Sequence, residues 1–398
     1  MVFEEYSLGD VGEIVSGATP KTFDESYFGG DIAWITPADL SGYTDKYISH
    51  GARNLTLKGY ESCSTRLMPK GTVLFTSRAP IGYVAIAAND ICTNQGFKSI
   101  IPNSRIIESE FLYYQLFSLR DEIQNRGTGT TFKEISSQKM KEIIIRVPSL
   151  ENQRKIVSRI EELLSQLEAS EATLRTIKDQ LALYRQAVLK DAFSEEDNWP
   201  QCKLIDLLQS MRNGYGLKPS DSGKYRILRI SSVRPMCLNL SDCRYNIKQF
   251  SEEDTIEEND ILFTRYNGSE EYVGVCAYVP HITDRYAYPD KIIRCRLKKP
   301  VDSVAKFLCY YLNTGKARKY IRSKIKTTSG QKGISGLDLK NTLIRMPCLD
   351  TCVQIVNYID SRLSACEIIE REVNHALIKT HTMRQSILKQ AFEGEVNT

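Results

Sequence analysis

The chain repeats itself. Residues 128–196 align without a gap on residues 327–395, a constant offset of 199 positions, and 23 of the 69 aligned pairs are identical. Ile135-Ser136 matches Ile334-Ser335, Ile156-Val157 matches Ile355-Val356, and the endings Arg185-Gln186 and Leu189-Lys190 match Arg384-Gln385 and Leu388-Lys389. A repeat this long is too large for a solenoid element. With 398 residues there is room for two full-sized domains and their connecting helices. Two domain-plus-helix halves, and two equivalent surfaces, are therefore predicted. Upstream the match needs gaps: VLFTSRAPIGYVAIA from Val73 echoes ILFTRYNGSEEYVGVCAYV from Ile261, and FLYYQL from Phe111 echoes FLCYYL from Phe307.

Within the first repeat an apolar stripe runs at alternating spacings of four and three, and that of the second runs nearly the same course. The stripes comprise Ile156, Ile160, Leu163, Leu167, Leu174, Ile177, Leu181, Tyr184 and Val188, then Ile355, Ile359, Leu363, Cys366, Ile369, Val373, Ala376, Met383 and Ile387, with Ser170 and Thr380 as the weak positions. This is the seam of a coiled coil. Each run follows Pro148 or Pro347 and lasts about 45 residues, roughly 65 Å if helical throughout. A helix of that length with one apolar stripe needs a partner. Its own repeat is the most economical one, and pairing in trans within a homodimer is the alternative.

The remaining segments predict mixed α/β domains with short strands: DIAWIT, GTVLFTS and YVAIA in the first, YRILRISSV, DILFTR and IIRCRL in the second. One helix in each, from about Ser109 and Asp302, carries the Phe-Leu-x-Tyr pattern, whose aromatics are core in character. The expected order is a domain over 1–147, a helix over 148–196, a second domain over 197–346 and a second helix over 347–398.

No apolar run approaches a membrane span, and the N-terminus lacks the basic-then-apolar pattern of a signal peptide. Eleven cysteines, an odd number with no CxxC, suit a cytoplasmic protein with reduced thiols, and the four histidines offer no zinc-ligand spacing. The net charge of +4 is unevenly spread: residues 200–347 carry +11 and residues 1–147 carry −2. Positive charge is densest in KARKYIRSKIK, which holds Lys316, Arg318, Lys319, Arg322, Lys324 and Lys326, and the Ser/Thr/Gly/Lys-rich loop TTSGQKGIS follows. Such density draws a polyanion by counterion release, and the loop offers N–H, hydroxyl and ammonium donors to phosphate oxygens. The same place in the first repeat, 120–136, keeps the glycines and threonines with Arg126 and Lys133. Its GTGTT lacks the Lys-Ser/Thr pair of a Walker loop.

Several stretches resemble a known family. SGATPK from Ser16, YFGGDIAWITPADL from Tyr27, MPKGTVLFTSRAPIGYVAI from Met68 and TNQGFKSI from Thr93 look like the first target-recognition domain of Type I restriction–modification specificity subunits. VPSLENQRKIVSRIEELL from Val147, with RQAVLKDAF and RQSILKQAF, resembles that family's two helical regions. Two departures stand out. Asn152 precedes Gln153 where the family has Glu-Gln, with Thr351-Cys352 in the second copy, and each Pro-Pro pair keeps one proline beside Ser149 or Cys348. The resemblance implies an α/β protein in which two similar target-recognition domains are separated by two long antiparallel coiled-coil helices with internal pseudo-two-fold symmetry. Each domain would read one half of a bipartite, asymmetric double-stranded DNA target. The helices would set the spacer and dock two methyltransferase subunits, and restriction/translocase subunits would complete the assembly.

No glycine-rich S-adenosylmethionine loop, Asn-Pro-Pro-Tyr-type motif, Walker pair or PD…ExK constellation occurs in this chain. Catalysis, and with it S-adenosylmethionine, ATP and magnesium, is expected in the partner subunits. The rival reading is a coiled-coil scaffold without DNA readout. Base-edge readout is assigned to Arg78, Asn94, Gln95 and Arg126 in the first domain and to Arg265, Tyr266 and Asn267 in the second, because Arg pairs bidentately with guanine and Asn or Gln with adenine. Further DNA contacts are assigned to Lys98, Thr128, Thr130 and Lys133, and to Lys316, Arg318, Lys319, Arg322, Lys326, Thr327, Ser329 and Lys332.

Overall fold

Both apolar stripes form unbroken helices that begin at repeat-equivalent leucines: a central helix, Leu150–Ala192, and a distal helix, Leu349–Glu393. The computed structural model describes residues 2–129, 133–216, 220–246, 250–328 and 331–393. The chain divides into two compact units, Met1–Arg175 with Asn374–Thr398, and Thr176–Val373. The division cuts both helices within one residue of repeat-equivalent positions, so each unit holds one globular domain, the first part of its own helix and the last part of the other.

In the first unit a five-stranded sheet is ordered Gly12–Ser16, Lys98–Pro102, Val73–Phe75, Val84–Ala87, Tyr47–Ile48, antiparallel except for the last pair. In the second, Leu208–Asn213, Ile292–Leu297, Ile261–Thr264 and Cys276–Tyr278 repeat the first four strands in the same order, all antiparallel. Alternation along these strands is weak because both faces are covered: Val73, Leu74 and Phe75, like Ile261, Leu262 and Phe263, are all fully buried. The helices Ser109–Ser118 and Asp302–Leu312 begin at the expected residues.

The core of each unit closes on the other repeat's helix end. Phe392 stands edge-on to Phe111 at 5.4 Å in the first unit, and its repeat-mate Phe193 stands edge-on to Phe307 at 5.7 Å in the second. Around them Ile156, Val157 and Ile160 share a core with Leu388 and Ala391, while Ile355, Val356 and Ile359 share one with Leu189. Antiparallel pairing within each unit follows from the ion pairs as well: Glu168 with Arg384 in the first, and Arg185 with Glu370 in the second, where Tyr358 also donates to Asp191. The helices therefore pair within the chain. Part of the expected seam does not hold: Tyr184, Ile369 and Met383 are exposed. Thr380 is buried instead, its hydroxyl donating to the Leu377 carbonyl one turn back, so a polar seam position is satisfied within its own helix.

A matching acidic residue ties each helix to its domain. Tyr114 donates to Glu161, and its counterpart Tyr310 donates to Asp360; Lys46 binds Glu161 and Glu110, and Lys306 pairs with Asp360 and Asp302. Burial pushes both phenols well above their ordinary pKa, so they stay donors. Where the repeats differ, the difference is local. Gln153, fully buried, accepts from the Glu108 N–H at 2.8 Å and donates to the Ile106 and Pro148 carbonyls at 2.8 and 2.9 Å, stapling the helix start to the preceding loop. Its counterpart Cys352 fills the same place as a small apolar side chain, its thiol pushed up to about 11 by burial.

Truncating Gln153 orphans three backbone groups at once. Gln153→Ala is expected to destabilise the chain by about 2–4 kcal/mol, measured by urea denaturation. Cys352→Ala, which orphans nothing, should cost less.

Candidate nucleic-acid interface

At one end of each main sheet the same backbone bonds gather four segments. Ser77 N–H donates to the Gly96 carbonyl at 2.7 Å and its carbonyl accepts from Ile135; Arg265 N–H donates to Lys291 at 2.7 Å and its carbonyl accepts from Ile334. The following loop turns back through Gly82 (φ 106°) or Gly274 (φ 67°), whose N–H donates to the carbonyl of Thr76 or Thr264. Gly17 and Gly214 allow the first strand to run directly over the next loop, since a Cβ there would lie 2.0 Å from the Thr93 oxygen or 2.1 Å from that of Tyr288. These bonds place Arg78 and Tyr266 against the loop that leads to the long helix. Arg78 bridges to Glu134, which bridges to Thr128. Tyr266 pairs with Gly333 and Asn267 with Lys332, and the Lys326–Thr328 strand pairs on the far side of Gln331–Gly333.

In the first domain Gln95 accepts a hydrogen bond from Thr19, and Arg78 and Lys98 each lie 3.7 Å from one oxygen of the Glu134 carboxylate. The Lys98 side chain is only 9% exposed, so this carboxylate is what balances a nearly buried ammonium. Thr128 and Lys133 are exposed beside them. Asn94 turns back on its own loop, accepting from Gly96 N–H at 2.8 Å. Arg126 sits on the preceding helix, paired with Glu122 at 2.7 Å. Thr130 lies outside the described residues.

In the second domain the Arg265 guanidinium stacks on the Tyr266 ring at 4.8 Å, and its Nε has no partner among the described residues. The ring lies flush on Gly333, where a Cβ would come within 2.4 Å of it. Asn267 accepts from Ser269 N–H, shaping its turn. Lys332 binds Glu270 at 2.8 Å; the Lys332 hydrogen bond and, more weakly, the charge of Arg322 hold that carboxyl below its usual range. Arg322, Lys326 and Thr327 are exposed nearby, and Ser329 lies outside the described residues.

The basic run does not act as one patch. Helix Gly315–Ser323 buries Ala317 and Ile321, which turns its cations to different sides. Arg318 is a framework residue: its fork donates to the Val273 and Glu271 carbonyls at 2.8 Å each, and burial lowers its pKa. Lys316 is held by Asp197 at 2.6 Å and Glu196 at 3.4 Å. Lys319 lines a groove with Gln186 and Leu189, away from the strand edge. Sequence reasoning missed Thr19, Glu134 and Lys291 at this sheet end. Lys291 is marked in the sequence only by its place before the Ile292 strand. Lys291 is exposed and has no carboxylate partner among the described residues.

A family model described as Type I restriction modification DNA specificity domain matches the chain twice, over residues 2–179 and 196–377. The specificity subunit of the Type I restriction enzyme EcoKI from Escherichia coli K12 is 32% identical over 355 residues, covering 84% of this chain and 76% of that one. The MjaIX specificity subunit from Methanocaldococcus jannaschii is 49% identical over 154 residues, 38% of this chain and 35% of that one, so that match spans about a third of the relative. Among solved structures, the HsdS subunit from Thermoanaerobacter tengcongensis has a TM-score of 0.64 at 18% identity, covering 99% of this chain and 97% of that one. A chain from a structure of the type I R-M system reaches 0.73 at 18% identity, covering 99% and 98%. At that identity the likeness is one of fold.

The two roles in the basic run separate experimentally. Arg318→Ala should cost about 2–3 kcal/mol, because two charge-assisted bonds are lost. Lys316→Ala removes an exposed, solvent-screened ion pair and should shift the unfolding temperature far less. Thermal unfolding of the two variants checks both.

Proposed function

The chain belongs to the Type I restriction–modification DNA specificity family, and from that premise we propose that its two domains each read one half of a bipartite, asymmetric duplex target. The observation that carries this reading is the repeated convergence of four segments at one sheet end, built on the same backbone bonds but lined by different side chains. A constant frame presents Arg78, Gln95 and Lys133 in one copy and Arg265, Tyr266, Lys291 and Lys326 in the other. Two unlike surfaces on one frame suit two unlike half-sites, as a dimeric reader suits a palindrome. The scaffold reading is set aside, because the family model that matches both halves is one of DNA specificity.

The helices we assign to spacing and docking. They carry exposed apolar side chains that a solvated coil does not need: Leu183, Tyr184, Ile368 and Ile369 in the second unit, and Ile378 and Met383 in the first. Two methyltransferase subunits would cover them, with restriction/translocase subunits joining that assembly. S-adenosylmethionine, ATP and magnesium are assigned to those partners, and this chain supplies no catalytic group. No described helix is long and apolar enough to cross a membrane.

Exchanging residues 1–147 for the matching domain of a related subunit should change one half of the methylated motif and leave the other intact, mapped as methylated adenines in genomic DNA. A change in both halves would rule out independent readers. Leu183→Asp with Ile368→Asp, both at exposed positions, should leave the fold intact and weaken methyltransferase binding about tenfold or more, as loss of an interface anchor does; sedimentation of the mixed subunits reads this.

A further inference from the structure

The two reading surfaces differ in how their cations are balanced. In the first domain Glu134 faces both Arg78 and Lys98 at 3.7 Å, and Arg126 is paired with Glu122. In the second domain the repeat position of Glu134 is Gly333, which has no side chain. The sheet register sets Lys98 beside Ser16 and Ile293 beside Asn213, so the buried ammonium is replaced by an apolar side chain. Lys332 is paired with Glu270 there while its repeat counterpart Lys133 is exposed, so the contrast lies in Lys291, Arg322 and Lys326, three further exposed cations with no ion pair among the described residues.

From this contrast we propose a division of labour in which Glu134 is a positioning residue that screens Arg78, making the first domain the more discriminating of the two readers and the second the stronger phosphate anchor. The inference rests on the reading of both domains as DNA readers and goes beyond it. An unscreened cation gains from any phosphate, whatever the sequence. Arg78 must give up a carboxylate before it can bind DNA. A lone phosphate oxygen offers little over that carboxylate, whereas the paired O6 and N7 acceptors of guanine match the guanidinium fork. Screening therefore weakens binding to wrong sequences more than to right ones, which is how specificity is built by opposing the alternatives. Lys98 holds Glu134 in place from the buried side.

The test is the salt dependence of binding to a random-sequence 30-bp duplex by the full-length chain, between roughly 50 and 200 mM salt, where each phosphate contact contributes about 0.9 to the log–log slope. Lys291→Ala with Lys326→Ala should flatten the slope by about 1.8. Arg78→Ala should leave it nearly unchanged. Glu134→Gln should steepen it by about 0.9 and tighten non-specific binding. Because Glu134→Gln orphans a nearly buried ammonium, the variant Lys98→Met with Glu134→Gln is measured beside it; it frees Arg78 alone, keeps the net charge and should steepen the slope equally. A slope that Arg78→Ala flattens as much as Lys326→Ala does, or that the double variant leaves unchanged, overturns the division of labour while leaving DNA reading intact. Absence of any duplex binding by the wild-type chain and its complex with methyltransferase would strike the DNA-reading function itself.

Discussion

Phe392 against Phe111 and Phe193 against Phe307 are the contacts on which the remaining structure depends. Each aromatic pair adds only about 0.5–1.5 kcal/mol beyond its burial, but it joins a domain to a helix end that comes from the other repeat. A helix of some 45 residues owes most of its stability to packing of its apolar face. Here that face is supplied by the partner helix and the adjoining domain core in each unit. Neither repeat can complete its own core with its own residues.

The acidic anchors refine this arrangement. Glu161 and Asp360 occupy equivalent turns and meet equivalent tyrosines, so the rotation of each helix against its domain is set by the same donor–acceptor pair. Lysines from non-equivalent places, Lys46 and Lys306, then supply the balancing charge. The same economy appears at Gln115, which donates to the Arg146 carbonyl, and at its counterpart Tyr311, which accepts from Arg345 N–H. Different side chains thus reach the same strand residue of each copy, one at its carbonyl and the other at its N–H.

The proposed reading surfaces obey the opposite logic. Their backbone bonds are shared, and their side chains are not. Glu134 and Gly333 occupy the same place in the frame, one carrying a carboxylate between two cations, the other open to the face of Tyr266. A frame held by main-chain hydrogen bonds tolerates such exchanges, since no frame bond is lost when a side chain changes. Such positions can change without refolding the domain.

The repeat, the two long helices, the core strands and the Phe-Leu-x-Tyr helices were legible in the sequence because each is a local pattern: a period, an offset or an apolar run. The sequence named Arg78, Gln95, Lys98 and Lys133 as candidates one by one, and their meeting at one sheet end came from the fold. The apolar stripe called for a partner but could not say which domain each helix end completes, since spacing carries no information about contacts some 200 residues away. Nor did the count of cations in the run from Lys316 distinguish Arg318, fixed to two carbonyls, and Lys316, held by Asp197 and Glu196, from Arg322 and Lys326, which remain exposed. Charge is a property of composition, but its availability depends on which carboxylates and carbonyls the fold brings within reach. The sequence by itself determined two copies of one frame and the helices that join them; the tertiary structure alone decided the exchange of helix ends and the screening of Arg78, because both depend on contacts between residues far apart in the chain.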